Sequence, residues 1–244
     1  MTDLIYEQPL NEKIRSYLRL EYLSDQLILN QHNDYQHRCF YPLFSLCELS
    51  ERCDYRGDVI KDIDRQLQLL HAWKSSPQAN SEQILGLIDS LTTIRESLNA
   101  QGRIGIELKQ DRFLQALRQR FSMPGACCNF DLPQLHYWLA QPFAQRCQDY
   151  QRWTQPFQPL LNAISLLLQL TRDTAEFNTM QSTAGFYQGV SDIPLSLIRV
   201  KVEPEQGCYP TISGHRNRYA IHFVDFESQK HSDKSVCFQL AACR

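Results

Sequence analysis

The spacing of hydrophobic residues changes once along the chain. From Leu10 to about residue 178, apolar residues recur every three or four positions, which is typical of amphipathic helices. After about Phe177 they recur every second position, which is typical of strands with one buried face. We therefore predict an α+β protein, with an N-terminal α-helical bundle domain over residues 10–178 and a small C-terminal antiparallel β-sheet domain over residues 179–244. The extended Leu4-Ile5-Tyr6 is expected to bring residues 1–9 to that sheet as an edge strand.

The stretch from Tyr6 to Leu29 predicts the helix around which the bundle is organised. We expect this helix to start at Pro9 or Asn11, because proline suits a first helical position and asparagine suits an N-cap. Apolar residues cover a wide arc, namely Leu10, Ile14, Tyr17, Leu18, Leu23, Leu27 and Ile28. The remaining strip carries Glu12, Arg15 and Arg19. So wide an apolar arc predicts a helix packed on several sides, with its charged strip at a surface.

Turn and cap residues predict where the later helices begin and end. Gly57 is expected to stop one helix and Asp58 to cap the next. The run Ser75-Ser76-Pro77 is expected to break a helix, and Asn80 begins a capping-box pattern before the following one. Asp131 is a further candidate cap, for the helix of the sequence LPQLHYWL.

Three alternating runs near the C-terminus predict one small antiparallel sheet with a buried face and a solvated face. They lie at residues 198–202, 218–224 and 236–241. In the second run Tyr219, Ile221 and Phe223 alternate with Arg218 and His222, so the two basic residues are expected on the solvated face. Arg199 and Lys201 are expected on the corresponding face of the first run.

The composition is that of an ordinary globular chain. Of its 244 residues, 43% are hydrophobic and 21% charged, and the net charge of -2 provides no overall field for nucleic acid or membranes. We expect neither a signal peptide nor a membrane span. Nine cysteines occur without a CxxC motif or finger-like Cys/His spacing, which favours core thiols of a reducing cytosol over disulfides or a metal site.

The motifs of common enzyme and cofactor sites are absent from the sequence. It contains no nucleophile elbow, P-loop, GxGxxG turn or HExxH, so we predict no catalytic residue, cofactor or metal. A thiol-dependent enzyme built on Cys128 and His136 is a distant alternative. A partly buried thiol and a surface histidine explain the same residues more simply.

Two local excesses of basic residues indicate a docking surface for an acidic partner. One lies between residues 195 and 223 and includes Arg199, Lys201, Arg216 and Arg218, and the other lies between residues 103 and 120. Lysine and arginine that merely keep a surface soluble explain these runs equally well. A nucleic-acid-binding protein that uses the same patches is the alternative function, although no recognition module supports it.

Long motifs show a resemblance to a known family. They are YEQPLNEKIRSYLRLEYL at 6–23, RGDVIKDIDRQ at 56–66, DRFLQALRQRFSMPGACCNFDLPQLHYWL at 111–139, GFYQ at 185–188 and YPTISGHRNRYAIHF at 209–223. Over nearly its full length the chain resembles the ZapD family of FtsZ-associated cell-division proteins. The resemblance implies a helical domain and a β-domain, a cytoplasmic homodimer at midcell, and a non-enzymatic protein. It also implies binding to the C-terminal tail of FtsZ, bundling of FtsZ filaments in the Z-ring, and no nucleic-acid or membrane partner.

The family's functional positions are basic, and matching the motifs carries them to specific residues of this chain. They fall on Arg19, Arg56, Arg112, His136 and Arg218. A sixth position, which can be arginine in the family, is His222 here. A neutral histidine would weaken an ionic contact near pH 7. For Arg56, a local pair with Asp54 or Asp58 is the simpler explanation.

Overall fold

The computed structural model describes residues 4–74, 81–125 and 127–244. These residues form an α+β protein, as predicted, in which one N-terminal strand is followed by the helices and then by the remaining strands of antiparallel sheets. The chain divides into two compact units. One unit comprises Met1–Arg19 and Leu166–Arg244, and the other comprises Leu20–Ser165. That a domain boundary falls between residues 178 and 179 stays a prediction.

Eight α-helices lie in the described residues, and short 3₁₀ turns connect several of them. Their bounds are α1 Glu12–His32, α2 Phe40–Arg52, α3 Arg56–Trp73, α4 Ser81–Ala100, α5 Arg112–Phe121, α6 Pro133–Leu139, α7 Phe143–Thr154 and α8 Gln158–Arg172.

The core of the unit Leu20–Ser165 is centred on an aromatic cluster. The ring of Phe40 lies 5.2 Å from that of Trp138 and 5.8 Å from that of Trp153, while the rings of Phe113 and Trp153 stack at 5.5 Å. Such pairs stabilise by about 0.5–1.5 kcal/mol each beyond the area they bury. They join α2, α5, α6 and α7, and so fix the surfaces that α5 and α6 present.

The long first helix differs from its prediction. Asn11 is its cap, because its side-chain oxygen accepts the backbone N–H of Ile14 at 2.9 Å, whereas Pro9 ends a strand. Ile28, predicted in the apolar arc, is 49% exposed, and Leu20, which the prediction omitted, is fully buried. The helix therefore buries a single face and is less enclosed than predicted.

Two further predictions of caps were wrong. Helix α3 already begins at Arg56, so Gly57 and Asp58 lie in its first turn. The N-cap of α6 is Leu132, followed by a proline at the first helical position, while Asp131 binds other side chains. The predicted break at Ser75–Pro77 and the cap at Asn80 lie outside the described residues.

The strands form two sheets instead of the single sheet predicted. The strands are β1 Leu4–Pro9, β2 Asn178–Gln181, β3 Phe186–Val190, β4 Leu197–Val202, β5 Cys208–His215, β6 Arg218–Asp225 and β7 Cys237–Cys243. The first sheet has the order β1-β4-β7-β2 and the second β3-β6-β5, all antiparallel. Strands β2, β3 and β5 escaped prediction because glycine, proline or polar residues interrupt their alternation.

One core joins the inner faces of the two sheets. Phe223 of β6 and Phe238 of β7 lie with their ring centroids 5.0 Å apart, and Tyr187 of β3 meets Phe238 edge-on at 5.4 Å. Gly189 of β3 lies against the ring of Tyr219, where a Cβ atom would come within 2.1 Å of Cζ. A larger residue at this point of β3 would have to displace the Tyr219 ring.

Strand β1 is fixed to its unit by a largely buried ionic cluster. Leu4–Pro9 pairs with β4, so the extended Leu4-Ile5-Tyr6 lies at the sheet edge. The carboxylate of Glu7 accepts hydrogen bonds from Arg172 at 2.7 and 2.8 Å and from Arg199 at 2.9 Å. The guanidinium of Arg199 also lies 5.0 Å from the ring centre of Phe177. The prediction that Arg199 lies on a solvated face was therefore wrong.

Candidate protein-interaction surfaces

Arg19 lies on the charged strip of α1. Its neighbour on the strip, Arg15, forms an ion pair with Glu12 at 3.1 Å. Arg19 itself is exposed, and among the described residues no carboxylate pairs with it. The strip therefore presents one unneutralised guanidinium to solvent.

Arg218 and His222 share the outer face of the sheet β3-β6-β5, as predicted. Their neighbours Tyr219, Ile221 and Phe223 point inward and are buried. The strand register gives this outer face three rows of three residues, each row crossing all three strands. The rows are Phe186–His222–Thr211, Gln188–Ala220–Ser213 and Val190–Arg218–His215.

The basic groups on this outer face differ in their surroundings. Arg218 is exposed, and none of the described residues forms an ion pair with it. The ring of His222 is half-buried, with its centroid 4.7 Å from Phe186 and 4.9 Å from His231. His222 therefore packs against neighbouring rings and is not only a potential cation.

Arg56 forms hydrogen bonds with other residues of its own unit. Its backbone N–H donates to Asp54 Oδ1 at 3.1 Å, which is one of the local contacts considered above. Its guanidinium donates to the carbonyl oxygens of Gln101 and Gly102, the latter at 3.2 Å. These bonds tie the start of α3 to the residues that follow α4, which favours a structural role.

Two cations of the basic run between residues 103 and 120 pair with the carboxylate of Glu51. Arg118 forms a two-pronged pair with this carboxylate at 2.6 and 3.1 Å, and Lys109 approaches it to 3.6 Å. The hydrogen bond from Arg118 holds the pKa of Glu51 below its ordinary value. Arg103 donates to the backbone carbonyl of the same residue at 3.2 Å. These side chains brace α2 against the segment around α5.

Arg112 is an exposed cation of the same run. It is the first residue of α5, directly after Asp111, whose carboxylate caps the helix by accepting the N–H of Leu114 at 3.0 Å. The indole of Trp153 donates to the other oxygen of Asp111 at 3.0 Å, which fixes the cap. Arg112 is exposed, and in the described part of the chain it forms no ion pair.

His136 is exposed on α6, and its neighbourhood does not support a thiol–imidazole pair. The Cys128 thiol donates to Asp131 Oδ2 at 3.2 Å, and Arg120 donates to Oδ1 of the same carboxylate at 2.8 Å. Burial, together with the hydrogen bond to Asp131, raises the pKa of Cys128. A raised pKa leaves less of the reactive thiolate, which counts against a Cys128–His136 enzyme.

The six predicted residues therefore fall into distinct local settings. Arg218 and His222 share one face, and Arg112 and His136 lie on helices whose Phe113 and Trp138 rings are 6.0 Å apart. Arg19 lies on α1, and Arg56 is engaged elsewhere. Sequence analysis counted His215 in the basic excess of residues 195–223 but missed the exposed Phe186 and Val190 of the outer face. The alternation in GFYQGV carried that signal, although its glycines obscured it.

Two kinds of site are absent from the described ranges. Outside residues 1–3, 75–80 and 126, no group of three or more His, Cys, Asp or Glu side chains could hold a metal ion. In the same part of the chain, no helix is long and apolar enough to cross a membrane.

Comparisons with known proteins agree with the motif resemblance. A family model described as "ZapD: Cell division protein" matches residues 18–222. The chain is 66% identical over 243 residues to Cell division protein ZapD of Shewanella oneidensis and 63% identical over 243 residues to that of Shewanella baltica. It is 38% identical over 246 residues to that of Vibrio cholerae. Each match covers 100% of this chain and of the relative.

The fold and these matches define a non-enzymatic cell division protein. The chain belongs to the ZapD family.

Proposed function

We propose that this protein binds the C-terminal tail of FtsZ and cross-links FtsZ filaments as a homodimer, so that filaments bundle in the Z-ring at midcell in the cytoplasm. Membership of the ZapD family carries this proposal. In this proposal, a helical domain over residues 10–178 and a β-domain over residues 179–244 both contribute to the function. Two copies of a tail site in one dimer supply the bivalency that bundling requires.

The exposed basic side chains support binding to an acidic partner. Arg19, Arg112 and Arg218 are exposed and form no ion pair within the described ranges, while His136 is exposed on α6. Other cations of the same segments are already engaged, such as Arg118 by Glu51 and Arg199 by Glu7. The residues proposed to contact the tail are therefore among the cations that remain available.

Exposed apolar side chains of the unit Leu20–Ser165 support a dimer. Six large examples are Tyr22, Ile28, Tyr41, Met123, Phe130 and Tyr137, each about half exposed or more. Tyr41 and Met123 also line an open cavity of about 820 Å³. Where such side chains adjoin one another, as Tyr41 and Met123 do at this cavity, exposed apolar surface commonly marks a protein interface. We propose that this unit supplies the surface between the two protomers.

The triple variant Arg19→Ala, Arg112→Ala, His136→Ala tests the proposal. Single exposed ionic contacts are weak, roughly 0–1 kcal/mol each, but several acting in a bivalent dimer determine bundling. We expect light scattering and co-sedimentation with FtsZ filaments to show less bundling by the triple variant at fixed salt. For the parent, binding should weaken as salt rises, because the Debye length falls from about 10 Å at 0.1 M to about 3 Å at 1 M.

A matched control removes the same formal charge from paired positions. Arg52 and Lys61 are highly exposed, and each pairs with a carboxylate of its own helix. The double variant Arg52→Ala, Lys61→Ala should bundle like the parent. Equal bundling by the triple variant, the control and the parent would refute tail docking at these residues. A DNA gel shift in the same salt series separates filament binding from nucleic-acid binding.

A further inference from the structure

The outer face of β3-β6-β5 carries exposed apolar side chains beside its basic ones. The six predicted residues include only the basic side chains. Its two flanking rows each place an exposed apolar residue on the edge strand β3, Phe186 in one row and Val190 in the other. Val190 is 67% exposed and Phe186 39%. On the adjacent strand the same rows carry His222 and Arg218, so each row joins an apolar to a basic side chain.

The charge on this face has one sign. Its nine side chains include Arg218 and the two histidines His215 and His222, and no carboxylate. The middle row, Gln188–Ala220–Ser213, has small or polar side chains and lies between the two flanking rows. Because Arg218 and His222 are four residues apart in one strand, the flanking rows are about 13 Å apart. This is the length of a short extended segment of about four residues.

Strand β3 is also unusual as a sheet edge. Edge strands commonly carry charged residues or proline, which prevent pairing with other chains. The sequence of β3, FYQGV, carries neither, and two of its three outward residues are apolar. An exposed apolar sheet edge of this kind is typical of an interaction surface.

We propose that this outer face binds a short acidic segment with apolar side chains, in which Phe186 and Val190 contact the apolar groups and Arg218 receives a carboxylate. This inference rests on the proposed function, because it takes the FtsZ tail to be the segment that binds this face. It adds Phe186 and Val190 as determinants of specificity beside the basic positions. Charge alone would attract any acidic chain, whereas the two apolar contacts select segments with apolar residues at a matching spacing.

The test measures binding of a fluorescent FtsZ tail peptide by anisotropy. We expect the double variant Phe186→Ser, Val190→Ser to bind about tenfold more weakly, equivalent to about 1.4 kcal/mol. The single variant Val190→Ser, at the more exposed position, should bind about threefold more weakly and guards against a folding defect in the double variant. The weakening should persist at high salt, where the contribution of Arg218 is screened.

Phe226 provides a matched control within the same unit. It is 69% exposed but lies beyond the end of β6, outside the nine residues of the outer face. Phe226→Ser should bind the peptide like the parent. Circular dichroism should show the same strand content in all variants.

The outcomes separate this inference from the proposed function. If the parent itself does not bind the peptide, the proposed function fails and this inference fails with it. If the parent binds and Val190→Ser and the double variant match it, the inference is overturned while tail binding stands. A change of oligomeric state in the variants, with peptide affinity unchanged, would mean that the face associates with a second copy and would equally overturn the inference.

Discussion

Glu7→Gln is the most informative single substitution for the sheet unit. In the parent, the carboxylate of Glu7 in β1 binds both Arg172 and Arg199, and the three side chains are only 18%, 20% and 17% exposed, respectively. Glutamine has nearly the same shape but no charge. The substitution therefore removes the negative charge that these two guanidinium groups share, while both remain close together and largely buried.

The size of the effect follows from this burial. Removing one partner of a buried ion pair costs about 3–5 kcal/mol, because the remaining charge stays desolvated. The cluster retains some access to water, so we expect a loss of about 2–4 kcal/mol at neutral pH. This is a large share of the roughly 5–15 kcal/mol by which domains are usually stable.

The pH dependence provides a second signature of the same interaction. Burial alone would raise the pKa of Glu7, but the hydrogen bonds and charges of Arg172 and Arg199 together outweigh it and hold the pKa below the ordinary 4.5. A lowered pKa means that the stabilisation is fully present above pH 4.5 and is lost as the pH falls through the lowered value. The stability difference between parent and variant should therefore shrink in acid.

Urea unfolding combined with hydrogen exchange would measure both effects. In the variant, the amides of Leu4–Pro9 and Leu197–Val202 should exchange faster, because the cluster fixes β1 beside β4. Glu12→Gln is the control, since it removes an exposed pair with Arg15 whose side chains are 76% and 40% accessible. Such a pair contributes at most about 1 kcal/mol. If Glu7→Gln is no more destabilising than Glu12→Gln, the cluster does not stabilise the sheet.

Two further predictions concern the dimer and the core. Sedimentation equilibrium at micromolar concentration should give twice the 28.5 kDa chain mass, and a monomer would contradict both the dimer and bivalent bundling. Gly189→Ala should destabilise by about 1–3 kcal/mol, because its Cβ atom would overlap the Tyr219 ring. In the same thermal unfolding series, Gly57→Ala should be neutral or stabilising, since nothing lies within 4 Å of the added atom; equal effects would refute the overlap.

The sequence predicted those features that depend on local spacing. The change of hydrophobic period located the helices and strands β4, β6 and β7, and alternation alone placed Arg218 and His222 opposite Tyr219 and Ile221. Features that depend on distant partners could not be predicted. Glu7 lies 192 positions from Arg199, and Glu51 lies 67 positions from Arg118, so nothing local distinguishes these neutralised arginines from exposed ones.

The second sheet was missed for a related reason. Strand β3 is short and contains Gly189, and β5 contains Pro210 and Gly214, so neither shows a clear alternation. Only the register with β6 reveals that Phe186 and Val190 point the same way as His222 and Arg218. Pairing between strands is decided by the core that they share, which local sequence does not encode.

The position of β1 in the chain has a consequence for folding during synthesis. Leu4 pairs with Val202, so the unit Leu20–Ser165 is translated between the two strands of this pair. At about 5–20 residues per second, β1 waits roughly 10–40 s on the ribosome before its partner exists. In that interval a helical unit can form, but the sheet unit cannot. The protein is therefore expected to acquire its sheets last, with β1 as a free extended segment until then.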